Sequence, residues 1–135
     1  MQLPSLHDYE VSGYHVDDKA HTIRFILAPP KASPNARDSV ELVFGDVEGY
    51  FLERDLGTSL VLAVEEQPLL PFLSRNEEHF VHRAQRGWPR FWQGSAQGTA
   101  SWLTSRGRRV WAISSSYGIS GWVVAGAVRF GNGHA

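Results

Sequence analysis

Ile23, Phe25 and Leu27 alternate with Thr22, Arg24 and Ile26, and this two-residue period most limits what the chain can become. Successive side chains of a strand point to opposite faces, so such a run buries one face of a sheet. The period recurs. Tyr9 and Val11 alternate, then Tyr14 and Val16 on the other parity, with Ser12-Gly13 at the change. The extra residue of a β-bulge shifts parity in this way, and glycine tolerates its geometry. Asp17-Asp18-Lys19-Ala20 is polar, so the two runs predict a hairpin. Pro29-Pro30 through Asn35 reads as a loop. Val40, Leu42 and Phe44 predict a third strand, ended by Gly45-Asp46. Residues 47 to 53 are rich in β-formers (Val47, Tyr50, Phe51, Leu52), and Asp55-Leu56-Gly57-Thr58 is turn-like. Leu60 to Val64 is continuously apolar, as in a central strand covered on both faces. Short turns between these runs predict antiparallel pairing.

The period then changes. Ser74-Arg75-Asn76-Glu77 has the form of a capping box, and Phe80, Val81 and Ala84 follow at helical spacing. Gly87 suits the position just past a helix, and Arg83 and Arg86 suit its last turn. A helix is expected over 75–86 and a shorter one over 99–106, with Ala100 and Leu103 inward and Gly107 at its end. Between them, Pro89 biases Trp88 towards an extended conformation. Trp88 and Trp92 would then project together with Arg90 between them, and at least one should be buried. Arg109 to Ser114 is a further strand, Tyr117-Gly118 a turn, and Trp122 to Phe130 a last strand. Ala125, Gly126 and Ala127 on that strand would let a helix lie close. The expected fold is α+β: one domain over 1–130, a mostly antiparallel sheet of about six or seven strands with one or two helices on one face, and a flexible tail over 131–135.

Composition excludes several functions. The 135 residues contain no cysteine, which removes disulfides, thiolate metal sites and a cysteine nucleophile. No apolar run has the length of a membrane span, and Met1-Gln2-Leu3-Pro4 lacks the basic and apolar regions of an export signal. A cytoplasmic location is therefore expected. The net charge of −1 disfavours a nucleic-acid binder. That charge is uneven: five basic residues stand against twelve acidic ones through residue 70, and eight against two thereafter. The two halves are expected to neutralise one another across the fold.

The chemistry-bearing residues form four groups. Glu78, His79 and His82 could face one side of a helix as metal ligands. Their spacing is not H-E-x-x-H and they lie opposite Phe80 and Val81, so an exposed polar face without a tight metal site is expected. His7 and Asp8, near His15 and Asp17, have the composition of an oriented general base, although strand neighbours point apart and should not bond each other. Ser114-Ser115-Ser116-Tyr117-Gly118-Ile119-Ser120-Gly121 lacks both the phosphate-loop and nucleophile-elbow patterns and reads as a hairpin turn beside Trp122. Trp88, Phe91, Trp92, Trp102 and Trp111 interleave with arginines, which suits core packing first, a protein interface second and single-stranded nucleic acid third. No cofactor motif is present and no cofactor is expected. The candidate binding residues are Trp88, Arg90, Trp92, Ser116, Tyr117, Trp122, His7 and Asp8.

Leu6-His7-Asp8, the Ile23/Phe25 strand and Val40-Glu41-Leu42-Val43-Phe44-Gly45-Asp46-Val47 together resemble small bacterial domains of unassigned function, some of them immunity proteins of polymorphic toxin systems. The resemblance spans the first third of the chain and carries no catalytic motif or functional residue. It implies a stand-alone cytoplasmic domain that binds and blocks a toxin. A non-enzymatic protein binder is thus the first expectation. An enzyme or ligand-binding domain with a site near His7, Asp8 and the 114–122 hairpin is the second, and nucleic-acid binding through segment 83–111 the third. Self-association stays open.

Overall fold

The computed structural model describes residues 3, 5–30, 39–53 and 60–132. Strands β1 (Glu10–Asp17) and β2 (Thr22–Ala28) form the expected hairpin, and the ladder shifts register between Val11 and Gly13. β3 (Val40–Gly45) pairs with β2, and β4 (Gly49–Glu53) follows after three residues. β5 (Leu60–Gln67) leads into α1 (Leu69–Arg75), α2 (Glu77–Ala84) and α3 (Ala96–Ser105). The chain returns as β6 (Arg109–Tyr117), β7 (Ser120–Ala125) and β8 (Ala127–Asn132). Every pairing is antiparallel, so the α+β class expected from alternation is the one observed, with eight strands and three helices among the described residues.

The strand order is β4-β7-β6-β5-β1-β2-β3-β8. β7 and β8 are a single run of chain interrupted by Gly126, yet they stand near opposite ends of that order. β3 and β4 likewise continue one another through residues 46–48. The sheet must therefore roll until its ends meet. What joins them is a long kinked ribbon, β3–β4 against β7–β8. Its kink is a bulge: the Gly126 N–H donates to the carbonyls of both Gly45 and Asp46, and Asp46 takes a left-handed φ of 50°. The thinnest seam is β1 against β5, where Glu10 and Leu60 are the paired residues.

Rolling gives two cores. Inside lie Val11, Ile23, Phe25, Leu42, Phe44, Trp111, Val123 and their neighbours. Outside, the helices cover β6 and β7 through Phe72, Leu73, Phe80, Phe91, Leu103, Val110, Trp122 and Val124. Strand β7 is thus buried on both faces. The bulge at Gly126 also flips parity: Trp122 and Val124 face the helices, whereas Val128 and Phe130, on the same sequence parity, pack on the interior core. Ala125, Gly126 and Ala127 accordingly do not seat a helix. Ala125 faces the barrel interior, and Gly126 has Asp46 Cβ and Arg108 Nη1 each 3.0 Å from where a Cβ would stand.

The first helix differs from expectation. It starts at Leu69, because Pro71 in the first turn lacks only an N–H that would have had no intrahelical acceptor. It breaks at Asn76, whose Nδ2 donates to the Phe72 carbonyl at 2.8 Å. Ser74 therefore lies within α1 rather than capping a helix, and Glu77 reaches across to accept the N–H of Ala96 at the start of α3. Ser95 supplies the N-cap of α3 by accepting from Gly98 N–H. Phe80 is buried as expected, but Val81 is exposed, since a helix of eight residues against one sheet buries only a narrow stripe. β8 extends through Gly131 and Asn132, which pair with Glu41 and Val40; residues 133–135 lie outside the described residues.

Candidate functional site

Phe80 organises the outer core. It has no exposed surface, and the rings of Phe72, Trp88, Phe91, Trp92 and Trp122 lie with centroids 5.5 to 6.2 Å away. Such edge-to-face and tilted pairs suit the ring quadrupole. Trp122, a candidate binding residue, is therefore a core ring, packed between Phe72 and Trp88. Trp111 is buried inside the barrel with its ring 5.5 Å from Phe44. Trp102 is half-buried beneath the Arg106 guanidinium, 4.6 Å from the ring centroid. Core packing thus accounts for most of the tryptophan density.

The connector after α2 is built by local hydrogen bonds. Gly87 N–H reaches Ala84 O and Trp88 N–H reaches Arg83 O, with Gly87 at a φ of 84°, which is the Schellman ending expected of this glycine. Trp88-Pro89 is a cis peptide. Trp92 N–H then closes a turn onto Pro89 O at 3.1 Å, so residues 88–92 are not extended as expected. Trp88 and Trp92 still converge on Phe80, both half-buried, while Arg90 points into solvent and Phe91 is the most deeply buried ring of the segment. Phe91 lies directly on β4: a Cβ on Gly49 would meet its ring at 2.7 Å. Phe51 of β4 packs against Trp88, ring centroids 6.4 Å apart.

This clamp leaves two adjoining grooves along β4. One, of about 570 Å³, lies between the strand and Arg83, Trp88, Pro89 and Arg90. The other, of about 420 Å³, passes Tyr50 and Arg90 to reach Asp17, Asp18 and His21 at the β1–β2 turn. Arg83 and Arg90 have no carboxylate partner among the described residues. Glu48, in the wall of both grooves, is engaged: its Oε1 accepts from Arg106 at 2.7 Å and Arg108 at 3.1 Å, which ties the ribbon's bulge to the end of α3. That pair and Glu66–Arg109 join the acidic first half of the chain to the basic second half. Asp17 is held by its own turn. The N–H of Ala20, foremost, donates to its Oδ1 and keeps the carboxyl below its ordinary 3.8; desolvation opposes this, and the N–H of Lys19 with the charges of His15 and Arg24 add smaller lowering effects.

The remaining candidates lie elsewhere. His7 Nδ1 and Asp8 Oδ2 are 3.1 Å apart, contrary to the expectation that they point apart. They occupy a turn in which Asp8 has a φ of 68°, and strand alternation does not apply there. Both are more than half exposed, at 57% and 58%. Leu6 and Ile119 line one small apolar void inside the barrel, so this turn and the β6–β7 hairpin share an end of the barrel. The hairpin is anchored by Ile119, fully buried within a stretch that reads as polar. Ser116 and Tyr117 belong to β6, but their side chains lie outside the described residues. His79 packs its ring against Trp88 at 5.9 Å, and no cluster of three metal-binding side chains occurs among the described residues. Arg83 belongs to the arginine–tryptophan segment that the sequence singles out, but Tyr50 escapes a sequence reading because only the rolled sheet puts β4 at an edge beside the end of α2.

No helix among the described residues is long and apolar enough to cross a membrane. No family model, curated protein or solved structure matches the chain.

Proposed function

We propose that this is a non-enzymatic, protein-binding domain of the bacterial cytoplasm, immunity-like, which takes its partner on the grooved face around β4. The observation that carries this reading is the pair of exposed arginines, Arg83 and Arg90, standing without carboxylate partners among the described residues, beside Trp88 and the edge of a clamped strand. Arginine and tryptophan at the rim and floor of a groove are typical anchors of protein interfaces. The resemblance of the first third to immunity proteins suggests a toxin as the partner. The test is calorimetric titration against the protein encoded beside this gene. Binding is expected, weakened at least about tenfold by Arg90→Glu and unchanged by Arg129→Glu on β8, an exposed arginine that lines neither groove. Absence of binding, or equal effects of the two substitutions, refutes the reading. Tighter binding to a single-stranded oligonucleotide than to any protein would refute it in favour of nucleic acid.

A further inference from the structure

The grooves flank a strand whose second edge has no partner strand among the described residues. Among the described residues β4 hydrogen-bonds to β7 alone and ends the strand order. Natural edge strands are blunted by lysine, proline, inward charges or bulges. Gly49-Tyr50-Phe51-Leu52-Glu53 has none of these within it; the bulge at residues 46–48 precedes it, and its only charge is the terminal Glu53. The strand is also held in place. Phe91 sits on Gly49, Phe51 packs on Trp88, and Leu52 packs on the interior core. A rigid edge needs no ordering before another strand adds to it. Tyr50, exposed on this strand, offers a cross-strand partner. The charge of the flank selects the occupant. Glu48 is neutralised by Arg106 and Arg108, so Arg83 and Arg90 leave the groove beside Trp88 positive, whereas Asp17 and Asp18 stand at the far end of the adjoining groove.

We propose that β4 accepts an extended, carboxylate-bearing segment of the partner protein as an added strand. Main-chain bonds to the open edge hold the segment, and its carboxylates meet Arg83 and Arg90. This mode rests on the protein-binding reading above.

The probe is a ten-residue peptide alternating Glu and Val, titrated by NMR and fluorescence anisotropy at low salt. Its Lys–Val counterpart and two N-methylated forms, one methylated on the Glu amides and one on the Val amides, complete the set. Alternate amides of a strand face opposite sides, so one methylated form blocks the edge-facing bonds and the other does not. Strand addition predicts that one methylated form loses at least about tenfold in affinity while the other binds like the parent. It also predicts slowed exchange of β4 amides, binding of Lys–Val at least about tenfold weaker, and reversal of that preference in Arg83→Glu/Arg90→Glu. Equal binding of both methylated forms overturns strand addition, and equal binding of Glu–Val and Lys–Val overturns the charge argument. A wild-type dimer that the Glu–Val peptide cannot dissociate overturns it by placing a second copy on the edge. If the whole partner is sensitive to Arg90→Glu but the methylated peptides behave alike, strand addition fails and the binding face stands. If the peptides discriminate but the partner ignores Arg90→Glu, the binding-face reading fails.

Discussion

Replacing Phe80 by alanine should remove the centre of the outer core. The residue is fully buried and its ring meets Phe72 of α1, Trp88, Phe91 and Trp92 of the connector and Trp122 of β7. Truncating a buried phenylalanine costs about 3–5 kcal/mol, the range reflecting how far the site can collapse. Aromatic pairs add about 0.5–1.5 kcal/mol each beyond burial, but pairs that share one ring do not add independently. Collapse is restricted here because the neighbours belong to separate segments, and Phe91 is already wedged on Gly49. The upper half of the range, about 4–5 kcal/mol, is therefore expected. Against a typical stability of about 5–15 kcal/mol, this leaves a domain that is marginal or unfolded. Phe80→Leu, which keeps most of the volume, should cost about 1–2 kcal/mol and stay folded. Urea unfolding followed by tryptophan emission and far-ultraviolet circular dichroism measures both. Phe80→Ala within about 1 kcal/mol of wild type, at unchanged denaturant slope, would refute the placement of Phe80 at the hub.

Three further outcomes follow from close approaches and local charge. Gly49→Ala should cost about 1–3 kcal/mol in urea unfolding, because its Cβ would stand 2.7 Å and 2.9 Å from ring carbons of a buried Phe91; an unchanged midpoint would contradict that contact. Gly121→Ala should be worse, about 4 kcal/mol or more, since the new Cβ would collide with the Phe51 carbonyl oxygen at a backbone φ of +151°; a folded variant with wild-type protection of the β4 and β7 amides would contradict it. The Asp17 carboxyl, followed by NMR, should titrate below 3.8. A depressed folded value contributes stability above the unfolded value, and that stability is lost as pH falls through the folded one, so Asp17→Asn should flatten the acid side of the stability profile. An Asp17 midpoint at or above 3.8 would show that the Lys19 and Ala20 amides do not hold the carboxylate.

Local patterning was decisive wherever backbone geometry answers to neighbours in sequence. Strict alternation marked β2 from Thr22 to Ala28, the parity change at Ser12-Gly13 marked the bulge of β1, and Gly87 and Gly107 marked helix ends. These follow from side-chain period and from positive φ, both properties of a few adjacent residues. Composition alone excluded cysteine chemistry. The candidate site was legible only in part: Trp88 and Arg90 line the groove, whereas Trp122 of the same aromatic population is core.

What tertiary structure alone decided is where each face points. Alternation says that a strand has two faces but not that β7 buries both, nor that Gly126 hands the interior from the odd residues of β7 to the even residues of β8. Glu77 had the spacing of a capping box and serves instead the helix that begins nineteen residues later. Phe91 and Ile119 lie in an aromatic connector and a polar hairpin, yet both are buried because distant segments close over them. Tyr50 becomes exposed at an edge because the ribbon of β3–β4 and β7–β8 kinks, leaving β4 with one neighbour among the described residues. Burial and edge position are set by what the rest of the chain leaves uncovered. That depends on how the sheet closes, and closure is a non-local balance of packing that no short window of residues encodes.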